Sequence, residues 1–167
     1  MSDFNFGNLE PSRNEDPGDI ASPARWGTRG IAWLIDLLVM VAVFLIPTLI
    51  LFGGGAAVGD DDAGAAAVGI LALIAYLIAM IWTGWFFGFR QGVTGTTPGK
   101  RQQGIRLVDA ETGRPPGGAR GVGRWLVPSL INAVVGVYSI IDYLWPLWDF
   151  RNQRVTDKMF RTLVVRG

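Results

Sequence analysis

Residues 28–47 read TRGIAWLIDLLVMVAVFLIP, an apolar run that carries one carboxylate, Asp36, and opens on Arg29. The run continues to Phe52. At 1.5 Å per residue, about 20 residues cross a hydrocarbon core about 30 Å thick. Fifteen Leu, Ile, Val or Phe side chains lie between residues 30 and 52. At about −0.3 to −0.6 kcal/mol each, they outweigh an aspartate costing about 2.5–3.5 kcal/mol. The segment therefore inserts in spite of its charge. Inside it, Asp36 must be protonated, paired or turned towards water. Arg29, seven residues earlier on nearly the same helix face, is one candidate partner; Arg90, Arg124, Asn132 and Asp142 are others.

Composition agrees with a bilayer solvent. Half of the 167 residues are hydrophobic and only 17% are charged, against about 25% in soluble domains. Cysteine and histidine are absent. That removes disulfides, thiolate metal sites and the usual zinc ligands, and it leaves carboxylates to handle any protons. No nucleophile–base arrangement stands out, so an enzyme is not expected. Neither a cofactor nor a metal site is predicted. The basic residues are dispersed beside apolar spans, which argues against nucleic acid as a partner.

Residues 1–24 carry five acids against Arg13 alone and lack any period. They read as a disordered acidic N-terminal tail, ahead of a membrane domain over 25–167. Beyond the first span (about 30–52), "GGGAAVGDDDAG" at 53–64 reads as a flexible acidic loop. The second span, about 65–89, contains no charge and ends in an aromatic belt from Trp82 to Phe89. Its spacings Ala65–Gly69 and Ala75–Ala79 are small-xxx-small, suited to close helix contact.

A basic loop, 90–124, then carries seven Lys or Arg residues. Within it "TGTTPGK" only faintly resembles a phosphate loop, because the first glycine is out of register and Arg101 stands where Ser or Thr is required. "GIRLVDA" reads as a short strand and "AETG" as a turn. A third apolar segment, 125–148, carries Asn132, Ser139 and Asp142 as a polar stripe on a helical projection. The tail 149–167 is basic, and its "TLVV" reads as a terminal strand.

Basic residues number three before the first span, none between the spans, seven after the second and five in the tail. The positive-inside rule places the N-terminus and the 90–124 loop in the cytoplasm. A simple third crossing would put the basic tail outside. A re-entrant helix–turn–helix hinged near Gly136 avoids this and lets "TLVV" pair with "GIRLV"; a tilted full crossing is the competing reading. The expected fold is an all-α membrane protein: two transmembrane helices, a third re-entrant or spanning apolar segment, and a small cytoplasmic β-hairpin-like element.

Three stretches, in this order, resemble the RDD family of bacterial membrane proteins, named for one arginine and two aspartates. "RGIAWLIDLL" resembles its first helix, "GTTPGKRQQGIRLVDAETGRP" the loop after its second, and "DYLWPLWDFRNQRVTDKMFRTLVV" its closing segment. The resemblance implies a charged site of Arg29, Asp36 and Asp157 and a multi-pass inner-membrane location. Two departures stand out: Thr156 replaces a frequent His, and Phe160-Arg161 replaces a small Ala-Gly pair. Some members have been proposed as sodium/proton exchangers. Two roles follow as expectations: cation or proton transport by an oligomer, and a non-catalytic scaffold that docks partner membrane proteins through the acidic tail or the basic loop.

Overall fold

The computed structural model describes residues 22–167. Two long helices dominate. α1 spans Trp26–Val58 and α2 spans Asp62–Thr83. A π-helical segment, Gly84–Arg90, carries α2 without a break into α3, Gln91–Thr94. Both rods are long and apolar enough to cross a membrane. Leu34, Leu38 and Leu49 of α1 and Ile70, Leu73 and Ile81 of α2 are all exposed. A helix apolar all round, with no chain to cover it, requires an apolar solvent. The two helices meet along small residues, with Ala72 and Ala79 of α2 buried and the Thr48 and Tyr76 hydroxyls 2.8 Å apart.

The glycine-rich stretch expected as a loop is mostly helix, because α1 continues through Gly53–Val58 and only Gly59–Asp61 connect the rods. Packing overrides the poor helix propensity of glycine here. A Cβ at Gly54 would lie 2.9 Å from the Val68 side chain, so the glycine lets the helices close together. Asp61 caps α2 by accepting the Gly64 N–H at 3.0 Å.

At the end of the rods where α1 begins, two short units meet. α4 (Pro98–Gln102) leads into β1 (Ile105–Asp109). α7 (Val155–Met159) leads into β2 (Thr162–Arg166). The strands pair antiparallel, with Leu107 opposite Val164. They come from distant parts of the chain, so the element expected to be hairpin-like is a long-range sheet. Ala24 donates its N–H to the Val164 carbonyl at 2.8 Å, and Pro23 bridges to Val165. The end of the expected tail is thus docked on the sheet; residues 1–21 of that tail lie outside the described residues. Ala24, Ala32, Ile105, Leu107 and Val164 form a core that seats the sheet on the start of α1.

Between the strands lie α5 (Gly118–Val135), α6 (Tyr138–Leu144) and a 3-10 turn (Trp145–Leu147). The third apolar segment is broken at Gly136, whose φ of 73° is the left-handed conformation that favours glycine. The Asn132 side chain spans the hinge by accepting the Ser139 N–H at 3.2 Å. α5 lies against the π-helical segment and α3 through glycines. A Cβ at Gly121 would stand 2.3 Å from the Gly88 carbonyl oxygen and 2.6 Å from the Gly92 Cα.

Candidate functional site

Asp157 sits in the first turn of α7 and is fully buried. Its Oδ2 accepts from the Arg29 guanidinium at 2.5 Å and from the Arg154 backbone N–H at 3.1 Å. Its Oδ1 forms an ion pair with Arg124 of α5. Arg29 also donates to the Asn152 carbonyl, and Arg124 to the Thr162 hydroxyl. Burial alone would raise the Asp157 pKa, but Arg124, Arg29 and Arg154 together hold it far below the usual carboxylate range. One carboxylate therefore ties α1, α5 and the α7–β2 unit together. A buried ion pair can repay its desolvation when the remaining hydrogen-bonding positions are also filled, as they are here.

Asp36 is buried one face-repeat along α1 and does not meet Arg29. It accepts the Thr97 hydroxyl at 2.6 Å and the Gly99 N–H at 2.9 Å. Thr97 in turn caps α4 through the Lys100 N–H at 3.2 Å. The contact needs glycine: a Cβ at Gly99 would lie 2.0 Å from the Ala32 carbonyl oxygen of α1. The expectation that Arg29 reaches towards Asp36 is thus corrected. Asp36 grips the start of α4 and Arg29 the start of α7, because nearer partners exist for both.

The polar stripe is split by the Gly136 break. Asn132 and Ser139 face each other across the hinge, while Asp142 is buried and accepts the Thr156 N–H at 2.7 Å. In the sequence, Asp142 lies beside Tyr143 and Trp145 near the segment's end, which favours an interfacial position; its burial and its bond to α7 make it an anchor instead. Thr156, where the family often has His, places its hydroxyl 3.2 Å from that of Tyr138.

Arg29, Asp36, Asn132, Ser139 and Asp142 line one cavity of about 960 Å³ between α1, α4, α5 and α6, together with Lys100, Arg124 and Arg154. Lys100 is pushed down to about 7, first by burial and then by Arg154, Arg124 and Arg29, against the opposing pull of Asp36. With its amide oriented to satisfy both neighbours, Gln91 accepts from Lys100 Nζ at 2.9 Å and donates to the Phe87 carbonyl at 2.6 Å. The Arg154 guanidinium stacks 4.0 Å from the Tyr143 ring centre. Among the described residues no cluster of acids could hold a metal ion.

Sequence reasoning missed Lys100 and Arg154 as site residues, and Thr97 and Gly99 as the partners of Asp36. A Thr-Pro-Gly stretch is a helix start, with Thr at the cap and Pro at the first position. That signal was available, but nothing local says which anion the helix start would meet.

Two uncovered apolar helices, closed at one end by a buried Arg–Asp network and a small sheet, define a membrane protein. The RDD family model matches residues 23–161, and the chain belongs to that family. It is 35% identical over 97 residues to the "Proline-rich antigen" of Mycobacterium leprae (strain TN), which covers 58% of this chain and 37% of that protein. It is 32% identical over 92 residues to the "Proline-rich antigen homolog" of Mycobacterium tuberculosis (strain ATCC 25618 / H37Rv), covering 55% of this chain and 34% of the relative. The chain thus spans little more than a third of these relatives' lengths. No solved structure matches it.

Proposed function

We propose that this chain is a multi-pass inner-membrane module without catalytic activity, whose Arg29, Asp36 and Asp157 are architectural and which serves as a scaffold or regulatory subunit within a homo-oligomer or membrane-protein complex. The observation that carries this reading is the state of the carboxylates. Asp36 and Asp157 each spend both oxygens on protein donors. A cation site needs oxygens free to coordinate.

The orientation follows from charge and chain length. The sheet end carries the basic loop and the basic tail, so it faces the cytoplasm, with Asp60–Asp62 outside. α5 leaves the sheet from β1 and the chain returns to it at β2. Two crossings need about 40 residues, more than Gly118–Leu147 supplies, so this segment re-enters or lies at the interface. Cysteine placed at position 167 should be protected from an impermeant reagent in intact cells, and cysteine at position 60 should react. Labelling of position 167 would refute the topology.

One observation favours a second reading, proton-linked cation transport by an oligomer. Lys100, with a pKa brought to about 7, faces the cavity beside Asp36 and could exchange a proton near neutral pH. Purified protein in liposomes under a pH gradient separates the two. The architectural reading expects cation flux no greater than in empty liposomes. Flux that Lys100→Met abolishes, in a variant of unchanged helical content, would replace it.

A further inference from the structure

The cavity has two cations to spare. Arg29 and Arg124 are consumed by Asp157. Lys100 and Arg154, by contrast, form no ion pair among the described residues, although both line the cavity. The acids that face them are already engaged: Asp36 and Asp142 accept hydrogen bonds from Thr97, Gly99 and Thr156, and Asp157, which also faces Arg154, holds Arg29 and Arg124. Part of the lining is apolar: Ile31 and Leu34 of α1 belong to it and are half exposed, at 50% and 53%. They continue directly into the uncovered face of α1 at Leu38 and Val41. A pocket of about 960 Å³ is of the size that holds a ligand. It joins a cationic end at the sheet to an apolar wall that runs along the rod.

We propose that this cavity binds an anionic phospholipid of the cytoplasmic leaflet, its phosphate held by Lys100 and Arg154 and its acyl chains lying along the Ile31–Val41 face of α1. The charge asks for an anion, and the continuous apolar wall asks for a tail, which free phosphate lacks. The guanidinium of Arg154, 4.0 Å from the centre of the Tyr143 ring, carries the forked N–H donors that suit phosphate oxygens. The proposal rests on the cytoplasmic placement of the sheet end. It holds equally for a scaffold or a transporter.

The test uses the full chain in nanodiscs of phosphatidylcholine doped with phosphatidylglycerol, with retained lipid read by native mass spectrometry. Wild type should retain phosphatidylglycerol in preference to phosphatidylcholine. A basic residue near an anionic lipid surface contributes about fivefold, so Lys100→Gln/Arg154→Gln should cut that preference about 25-fold. Arg101→Gln/Arg106→Gln, which removes two exposed charges outside the cavity, should keep it. Lys100→Gln/Arg154→Lys should restore part of it, which separates lost charge from lost fold. Equal retention of both lipids by wild type would overturn the proposal, as would a control variant as defective as the cavity variant. So would inorganic phosphate alone displacing phosphatidylglycerol at equal concentration, since that would make the site one for a soluble anion.

Discussion

Asp157→Asn keeps the size of the side chain and an acceptor for the Arg154 N–H, and removes only the charge. What remains is Arg29, 5% exposed, and Arg124, 9% exposed at its side chain, facing a neutral amide. Removing one partner of a buried pair costs about 3–5 kcal/mol, because the other charge stays desolvated. Two arginines share this carboxylate, so the costs overlap and the loss should be about 4 kcal/mol rather than the sum. For a chain of this length that corresponds to a fall in Tm of about 8–16 °C. The assay is thermal unfolding in nanodiscs, with hydrogen exchange at the β2 amides as the local readout. Asp157→Asn/Arg124→Met should recover part of the loss, since it removes one of the stranded charges. A Tm change under about 2 °C, or strictly additive single variants, would refute the clamp. The pH dependence gives an independent check. The folded pKa of Asp157 is depressed, so its contribution is present above the unfolded value of about 3.9 and is lost only as pH falls below it. Near-neutral conditions should leave the clamp untouched.

Gly121→Ala should lower Tm markedly, since its Cβ would meet the Gly88 carbonyl oxygen at 2.3 Å and overpacking costs about 1–3 kcal/mol or more. Arg161→Gly should stabilise by about 0.5–1 kcal/mol, because Arg161 holds a φ of 50° and its pair with Glu111 is exposed; denaturation in detergent would measure it. Lys100 has its pKa lowered on folding, so the unfolded chain binds the extra proton between pH 7 and 10.5 and stability should rise across that window. Lys100→Met should flatten the rise, and an unchanged profile would show that Lys100 titrates normally. Asp36→Asn should speed hydrogen exchange in Pro98–Gln102 and β1, whereas Asp142→Asn should do so in Val155–Met159 and β2.

The two long apolar helices were legible because a bilayer demands long uninterrupted apolar runs, and nothing local competes with that demand. The strands and the hinge at Gly136 were legible for similar reasons: β-branched residues between turn signals, and a glycine inside a helix that has to bend back. The partners of Arg29 were not. Two residues seven apart share a helix face, yet they stand about 10 Å apart along the axis, farther than an ion pair spans. The carboxylate that Arg29 does meet lies 128 residues away, and no periodicity reports a contact of that range. The "TGTTPGK" stretch is the instructive case. Its chemistry is that of a helix start offering an N–H to an anion, but the anion is the side chain of Asp36 rather than a phosphate.

The spacing of Arg29 and Asp36 has a reason in what they hold. The two units at the sheet end match element for element. Pro98–Gln102 and Val155–Met159 are five-residue helices, each followed by a two-residue turn and a five-residue strand. The second turn residues, Gly104 and Arg161, both take positive φ, at 60° and 50°. At the second helical position of each unit an outside aspartate accepts the backbone N–H: Asp36 from Gly99, and Asp142 from Thr156. Antiparallel pairing then relates the units about an approximate two-fold axis through the Leu107–Val164 region. A two-fold object seated on one helix presents its halves at two heights, and α1 answers with one residue for each. Asp36 takes the start of the first unit, and Arg29 takes Asp157 in the first turn of the second. The opposite signs follow from what each unit offers: the Thr97 hydroxyl and Gly99 N–H donors at the start of the first, and the Asp157 carboxylate in the second. Arginine and aspartate on α1 are therefore better understood as two grips on a single folded object than as an ion pair of their own.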